Sequence, residues 1–196
     1  MLAWSVAAFA AAPEVGLIVI AAPPGFEGDV ERVAGQSADS THVIVITGGA
    51  ERGDSVGLGL AEAPVSAQLV AVHDAARPLV TPELIARLIA RLDAEPGAAG
   101  VIAARPVSDT IKQVEEGKIV GTRARAGLWA AQTPQVFRAD ALRAAHDAGG
   151  AAKATDDAVL IENQGGVVVV EEPPDPNLKV TTPADLALAE LLIAQR

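Results

Sequence analysis

The residues in this chain that can do chemistry gather where apolar runs end. Leu69-Val-Ala-Val72 gives way to His73, Asp74 and Arg77, with Pro78 behind them. Arg52, Asp54 and Ser55 follow Gly48-Gly49, and Lys179 stands close to the C-terminal end. Thr110 and Lys112 open a charged segment that Arg123 and Arg125 close. A carboxylate at a strand end suits a divalent metal, and an arginine beside it suits a phosphate. Lysines and arginines on several such loops are what a site for phosphorylated substrates requires, and Asp74 is then free to hold magnesium. Taken together the set points to phosphoryl or nucleotidyl transfer. Taken alone, Asp74 and Arg77 are equally well explained by an ion pair that closes a turn.

Composition removes other classes of function. The 196 residues carry no cysteine, which excludes disulfides, thiolate metal sites and cysteine nucleophiles. His42, His73 and His146 are far apart, without the spacing of a zinc site. A formal net charge of −10 argues against nucleic acid or an anionic membrane as partner. Met1 to Ala12 is apolar but has no basic flank and is stopped by Pro13-Glu14. It reads as a helix, not a signal peptide or membrane span, and a cytoplasmic location is expected.

The elements that must position these residues alternate. Continuous apolar runs at Val15–Ile20, His42–Ile46, Leu69–Val72 and Ala99–Ala104 read as strands buried on both faces. Helical segments are expected at Glu27–Ala34, Asp54–Glu62 and Pro82–Leu92, the last with Thr81 as cap and Pro82 at its first position. This order predicts a three-layer αβα fold of the Rossmann-like kind, with a mostly parallel sheet. Ligands bind such sheets at the carboxyl ends of the strands, where Asp74 lies. From Val107 the order changes: Asp109–Val114 and Ile119–Arg125 form a hairpin with no helix between them, an arm at about 108–127 projecting from a single domain spanning 1–196. Helices resume at Ala139–Ala148 and from Thr155-Asp156-Asp157 to Gln164. The strand Val167–Glu171 follows, then a helix opened by Thr182-Pro183-Ala-Asp185. Trp129 is expected in the core at the base of the arm, His73 to satisfy a buried backbone group, Arg77 to anchor its turn, and Asp156 and Asp157 to cap a helix.

With these pieces in order, the chain resembles the 2-C-methyl-D-erythritol 4-phosphate cytidylyltransferase family. The resemblance rests on Gly48-Gly-Ala-Glu-Arg-Gly-Asp-Ser-Val56, Val72-His-Asp-Ala-Ala-Arg-Pro78 and Pro106-Val-Ser-Asp-Thr-Ile-Lys112. It continues through Arg125-Ala-Gly-Leu-Trp-Ala-Ala-Gln-Thr-Pro-Gln135, Thr155-Asp-Asp-Ala158 and Asn177-Leu-Lys-Val-Thr-Thr-Pro-Ala-Asp-Leu186. It implies transfer of a cytidylyl group from CTP to 2-C-methyl-D-erythritol 4-phosphate, with release of pyrophosphate. It also implies Mg²⁺ on Asp74, a nucleotide pocket from Gly49, Ser55, Asp74, Ala75 and Lys179, and an acceptor pocket from Thr110, Arg125 and Thr133. Asp74, Lys179 and Arg125 would be the catalytic set. Some acceptor contacts would reach in from a second copy through the arm, which implies a homodimer.

Two departures from the family pattern carry expectations. Ala50 stands where an aspartate often follows the glycine pair, so a nucleotide contact is expected to be lost or moved to Asp54. The family also opens with a strand, a glycine-rich loop bearing an arginine, and a lysine. Met1-Leu-Ala-Trp-Ser-Val-Ala-Ala-Phe9 matches the helix after them. Without that strand, two sheet edges are expected to stay unpaired and apolar helix faces uncovered. Two rival readings follow: a related enzyme using another polyol phosphate such as ribitol 5-phosphate, and an inactive relative serving as a scaffold.

Overall fold

The computed structural model describes residues 1–151 and 154–196. Among them, two separate groups of strands form the body. The first is a parallel pair, β1 (Leu17–Ala22) and β2 (His42–Thr47), with Leu17 opposite His42 and Ala22 opposite Thr47. The second is a four-stranded sheet of β3 (Leu69–Val72), β4 (Gly100–Pro106), β7 (Trp129–Arg138) and β8 (Val168–Glu171), in the order β3-β7-β4-β8. Strand β7 runs antiparallel to both neighbours, while β4 and β8 are parallel. Among the described residues β1, β2, β3 and β8 are each paired on one side only.

Helices cover both faces of the larger sheet. In helix α4 (Pro82–Asp93) the Thr81 side chain accepts a hydrogen bond from Leu84 N, which starts the helix. Its apolar residues Leu84, Ile85, Leu88 and Leu92 are all buried. Three of them, Leu84, Leu88 and Leu92, pack on Val101, Ala103 and Val136. Successive strand residues point to opposite faces. Ile102, Ala104 and Phe137 therefore meet the other layer, where they pack with Leu142 of α5 (Ala139–Asp147), Leu160 and Ile161 of α6 (Asp157–Asn163) and Leu60 of α3 (Arg52–Glu62). Burial of each large aliphatic side chain contributes roughly 1.5–3 kcal/mol, so these two layers hold the fold. Gly100 is needed for this: a Cβ there would lie 2.3 Å from the Phe137 ring.

The smaller sheet joins the body through helices. α1 (Leu2–Ala10) sends Val6 toward Ile18, Ile20 and Val43, and Ala8 toward Val80 and Ile85. α3 packs on β1 and β2 and also places Val56 and Leu60 beside Val70 and Val72. α2 (Glu27–Gly35) covers the small sheet, and α7 (Pro183–Ile193) closes the chain with the expected capping box, Thr182 and Asp185 exchanging backbone hydrogen bonds.

The arm is a hairpin of β5 (Ile111–Glu115) and β6 (Lys118–Arg123). Glu116 and Gly117 turn it with φ of 48° and 76°, the paired positive values that match strand twist in a two-residue loop. Two sequence expectations are corrected. Residues 129–138 form the longest strand of the body, although the sequence pattern indicated no element there. Trp129 does not lie in the core: it is 41% exposed at the start of that strand.

Candidate active site

Asp74 emerges at the end of β3 with its backbone N–H donated to the Thr133 hydroxyl, 3.0 Å away. That hydroxyl also contacts His73 Nδ1 at 3.2 Å, and His73 Nε2 contacts the Arg77 carbonyl oxygen at 3.2 Å. Burial drives the His73 pKa down to about 4, so the ring is neutral at physiological pH. A carbonyl can only accept, which places the ring hydrogen on Nε2 and leaves Nδ1 to accept from Thr133. A directional chain results, from Asp74 N–H to Thr133 O–H to His73, and from His73 to Arg77 O. His73 thus satisfies a backbone group, as the sequence suggested.

The Asp74 carboxylate faces two cations. Lys179 Nζ donates to Oδ2 at 2.9 Å, and Arg52 Nε stands 3.8 Å from Oδ1. Burial on its own would raise the pKa of this acid. The hydrogen bond and charge of Lys179, with Arg52 and Arg77 nearby, outweigh it and hold the carboxyl below its ordinary range. Lys179 is brought here because Val180 N donates to Ala76 O at 2.8 Å, fastening its segment to the turn after β3.

Arg77 does anchor the turn, but not through Asp74. Its Nη1 donates to the Asn177 carbonyl at 2.8 Å, and its Nε is buried without a partner among the described residues. Asn177, 3% exposed, donates from Nδ2 to Thr133 O at 2.8 Å and to Gln132 Oε1 at 3.1 Å. These bonds hold β7 against the Lys179 segment. Asp74, Lys179, Thr133, Arg52 and Arg77 together line a cavity of about 260 Å³, joined by Gln132, Gln135, Thr155 and Asp156.

Other expected site residues lie outside that cavity. Gly49 N donates to Ser55 Oγ at 3.1 Å, and Ser55 Oγ in turn reaches Glu51 O at 3.2 Å, which fixes the entry to α3. A Cβ on Gly49 would stand 2.3 Å from Asp54 Cβ, so the turn admits only glycine. Asp54 accepts from Glu51 N at 3.2 Å and serves this same local turn. Ala75 is exposed beside Asp74. Thr110 and Arg125 stand at the two ends of the arm, where the Arg125 guanidinium donates to the Ser108 carbonyl. The fold of one copy does not bring these two to Asp74.

An ionic network beside the cavity has no counterpart among the sequence expectations. Asp156 caps α6, accepting from Val159 N at 3.1 Å, as expected. Asp157 does not cap. It is 1% exposed and binds Arg52 Nη1 at 2.7 Å and His146 Nε2 at 3.0 Å. Gln135 is also buried, donating to Asp156 Oδ2 at 3.1 Å.

What can this arrangement do? A single carboxylate shared by two cations is a weak metal site alone, and no cluster of three or more acidic or histidine side chains capable of holding a metal exists among the described residues. It does fit a magnesium ion that arrives with substrate phosphates, which needs only one or two protein carboxylates. Phosphate oxygens would draw Lys179 to themselves and meet Arg52 where it stands, leaving Asp74 for the ion.

Comparisons with known proteins give the family. The sequence profile of 2-C-methyl-D-erythritol 4-phosphate cytidylyltransferase matches residues 1–195. The enzyme of that name from Synechococcus elongatus is 45% identical over 199 residues, covering 100% of this chain and 84% of the relative. The one from Cereibacter sphaeroides is 44% identical over 197 residues, covering 99% and 84%. Among solved structures, the cytidylyltransferase of Thermus thermophilus superposes with a TM-score of 0.78 at 34% identity, covering 97% of this chain and 87% of that one. No helix among the described residues is long and apolar enough to cross a membrane. The chain belongs to the 2-C-methyl-D-erythritol 4-phosphate cytidylyltransferase family.

Proposed function

We propose that this chain transfers the cytidylyl group of CTP to 2-C-methyl-D-erythritol 4-phosphate, in the cytoplasm, giving 4-CDP-2-C-methyl-D-erythritol and pyrophosphate. The observation that carries this reading is the Lys179–Asp74–Arg52 array on the wall of a cavity shared with Thr133 and Arg77. An oxygen of the acceptor phosphate attacks the α-phosphorus of CTP in line. The new P–O bond forms as the α–β anhydride bond breaks, and pyrophosphate leaves with that electron pair. A phosphomonoester's second pKa is about 6, so the nucleophile is already an anion and no general base is needed. The barrier is the approach of anions and the charge that builds on the pentacoordinate phosphorus. Lys179 and Arg52 meet that charge. Asp74 would hold Mg²⁺, which when bound neutralises the nucleotide phosphates. Gly49, Ser55 and Ala75 are assigned to the cytidine side, and Thr133 to the acceptor.

Thr110 and Arg125 complete the acceptor pocket of a second copy in this reading. The arm region leaves Val114, Ile119, Val120, Leu128 and Trp129 exposed, between 38% and 65%. Apolar side chains at that density on a projecting hairpin are suited to burial in a homodimer.

The test is pyrophosphate release with CTP, Mg²⁺ and either 2-C-methyl-D-erythritol 4-phosphate or ribitol 5-phosphate. Turnover with the first and not the second is expected. Asp74→Asn should abolish it while the circular dichroism spectrum stays unchanged. A variant turning over at near-normal rates would remove Asp74 from the metal role.

A further inference from the structure

Arg52 is the one cation of the array whose position is set from inside the protein. Its Nη1 is bonded to Asp157 Oδ2 at 2.7 Å while its Nε faces Asp74 Oδ1 at 3.8 Å. The guanidinium therefore lies between a buried carboxylate and the cavity. Asp157 is 1% exposed and its second oxygen is bonded to His146 Nε2, a side chain 8% exposed. Lys179 has no such backing and is 47% exposed.

The three residues come from three helices: Arg52 begins α3, His146 lies in the last turn of α5 and Asp157 begins α6. Gly53, next to Arg52 on α3, lets the segment after α5 come close: a Cβ there would stand 2.0 Å from the Ala151 carbonyl oxygen. Burial would raise the Asp157 pKa, but the hydrogen bond from His146 and the Arg52 charge outweigh it and keep it ionised. Both carboxylate oxygens are therefore occupied by fixed donors.

We infer that Asp157 and His146 are positioning residues that hold the Arg52 guanidinium beside Asp74, so that a preplaced cation meets the phosphates of the reactants. Neither touches substrate. A lysine or a freely rotating arginine at residue 52 would have to be ordered in each turnover, and a fixed one is not. The inference rests on the proposed transfer reaction only for its kinetic consequence; the fixing of Arg52 stands apart from it.

The experiment compares Asp157→Asn, His146→Leu, His146→Gln and Arg52→Met with the unaltered chain. Asp157→Asn and His146→Leu should each lower kcat by about 10- to 100-fold, the usual cost of a group displaced by an ångström. KM for CTP should change far less. His146→Gln, which keeps a donor to Asp157, should restore most of the rate. In the Arg52→Met background, Asp157→Asn should cost nothing further, because Asp157 acts only through Arg52. An additive loss in the double variant, or full activity in Asp157→Asn, would overturn the inference. A second readout needs no turnover. The Arg52 Nε–H resonance in ¹⁵N-labelled protein should be sharp and slow to exchange, and should broaden in Asp157→Asn and His146→Leu. An unchanged resonance in both variants would overturn it as well. If the unaltered chain does not turn over while the resonance behaves as described, the transfer reading fails and the positioning stands.

Discussion

Replacing Thr133 with valine removes one hydroxyl, at nearly unchanged side-chain volume, from the centre of the site. Thr133 is 5% exposed, and its Oγ1 accepts from Asp74 N and contacts His73 Nδ1. Valine leaves a half-buried N–H and a ring nitrogen without partners. An unsatisfied buried group costs about 1–3 kcal/mol, and we take about 2 kcal/mol as the net loss because the cavity admits water to part of the site. For a chain of this length that corresponds to a fall in Tm of about 4–8 °C. Thr133→Ser separates the hydroxyl from the methyl group. It keeps the relay and forfeits only a buried methyl, about 0.8 kcal/mol or roughly 2–3 °C. Thermal unfolding followed by circular dichroism measures both. The order valine below serine below threonine is expected. Serine falling as far as valine, or valine matching threonine, would refute the relay as the support of Asp74.

His73 has its folded pKa lowered to about 4 by burial, whereas an unfolded histidine titrates near 6.5. Between these values the unfolded chain binds the proton and the folded one does not. Stability should therefore fall as pH drops from about 6.5 toward 4, by about 3 kcal/mol. The lowered carboxylates Asp74 and Asp157 add their own loss only at more acidic pH. Urea midpoints across that window measure it, and a flat profile would contradict the burial of a neutral ring. Asn177→Ala removes two donors from a buried side chain and should destabilise by about 2 kcal/mol, seen as a lower urea midpoint. A shift of less than a quarter of that would leave Asn177 no part in holding β7. Replacing residues 109–124 by a short glycine turn should give a monomer in sedimentation and a raised KM for the acceptor phosphate. A dimer with unchanged acceptor KM would count against the arm.

Much of the layered fold was legible because its elements carry strong local signals. Leu69–Val72 is a strand with the bounds read from the sequence, and α4 begins where Thr81 and Pro82 say it should. Strand β7 was invisible for a physical reason. Its middle, Gln132-Thr133-Pro134-Gln135, is polar because those side chains serve the cavity and its hydrogen-bond network, and that breaks the apolar period a strand normally shows. The pairing of Asp74 with Lys179 was foreseeable only through the resemblance, since 105 residues separate them. The Arg52–Asp157–His146 network was not foreseen at all. Two adjacent aspartates at a helix start look like capping, and nothing in spacing reveals that one of them turns inward to meet an arginine 105 residues earlier. The arm was legible as a hairpin, but where Thr110 and Arg125 act is a matter of assembly, which a single chain's periodicity does not encode.

The division of the strands into two groups bears on how this site would respond to load. Asp74 belongs to the four-stranded sheet, whereas Arg52 heads the helix that rests on β1 and β2. No strand pairing joins those sheets among the described residues. The two are spliced by α1 and α3, and the bond from Arg52 to Asp157 of α6 fastens the head of α3 to the larger sheet's helical layer, 3.8 Å from Asp74. A polyanion gripping Arg52 on one side and Lys179 on the other acts as a cross-brace. Ligand binding would then stiffen the whole body, and amide exchange in the edge strands β1 and β3 would slow together.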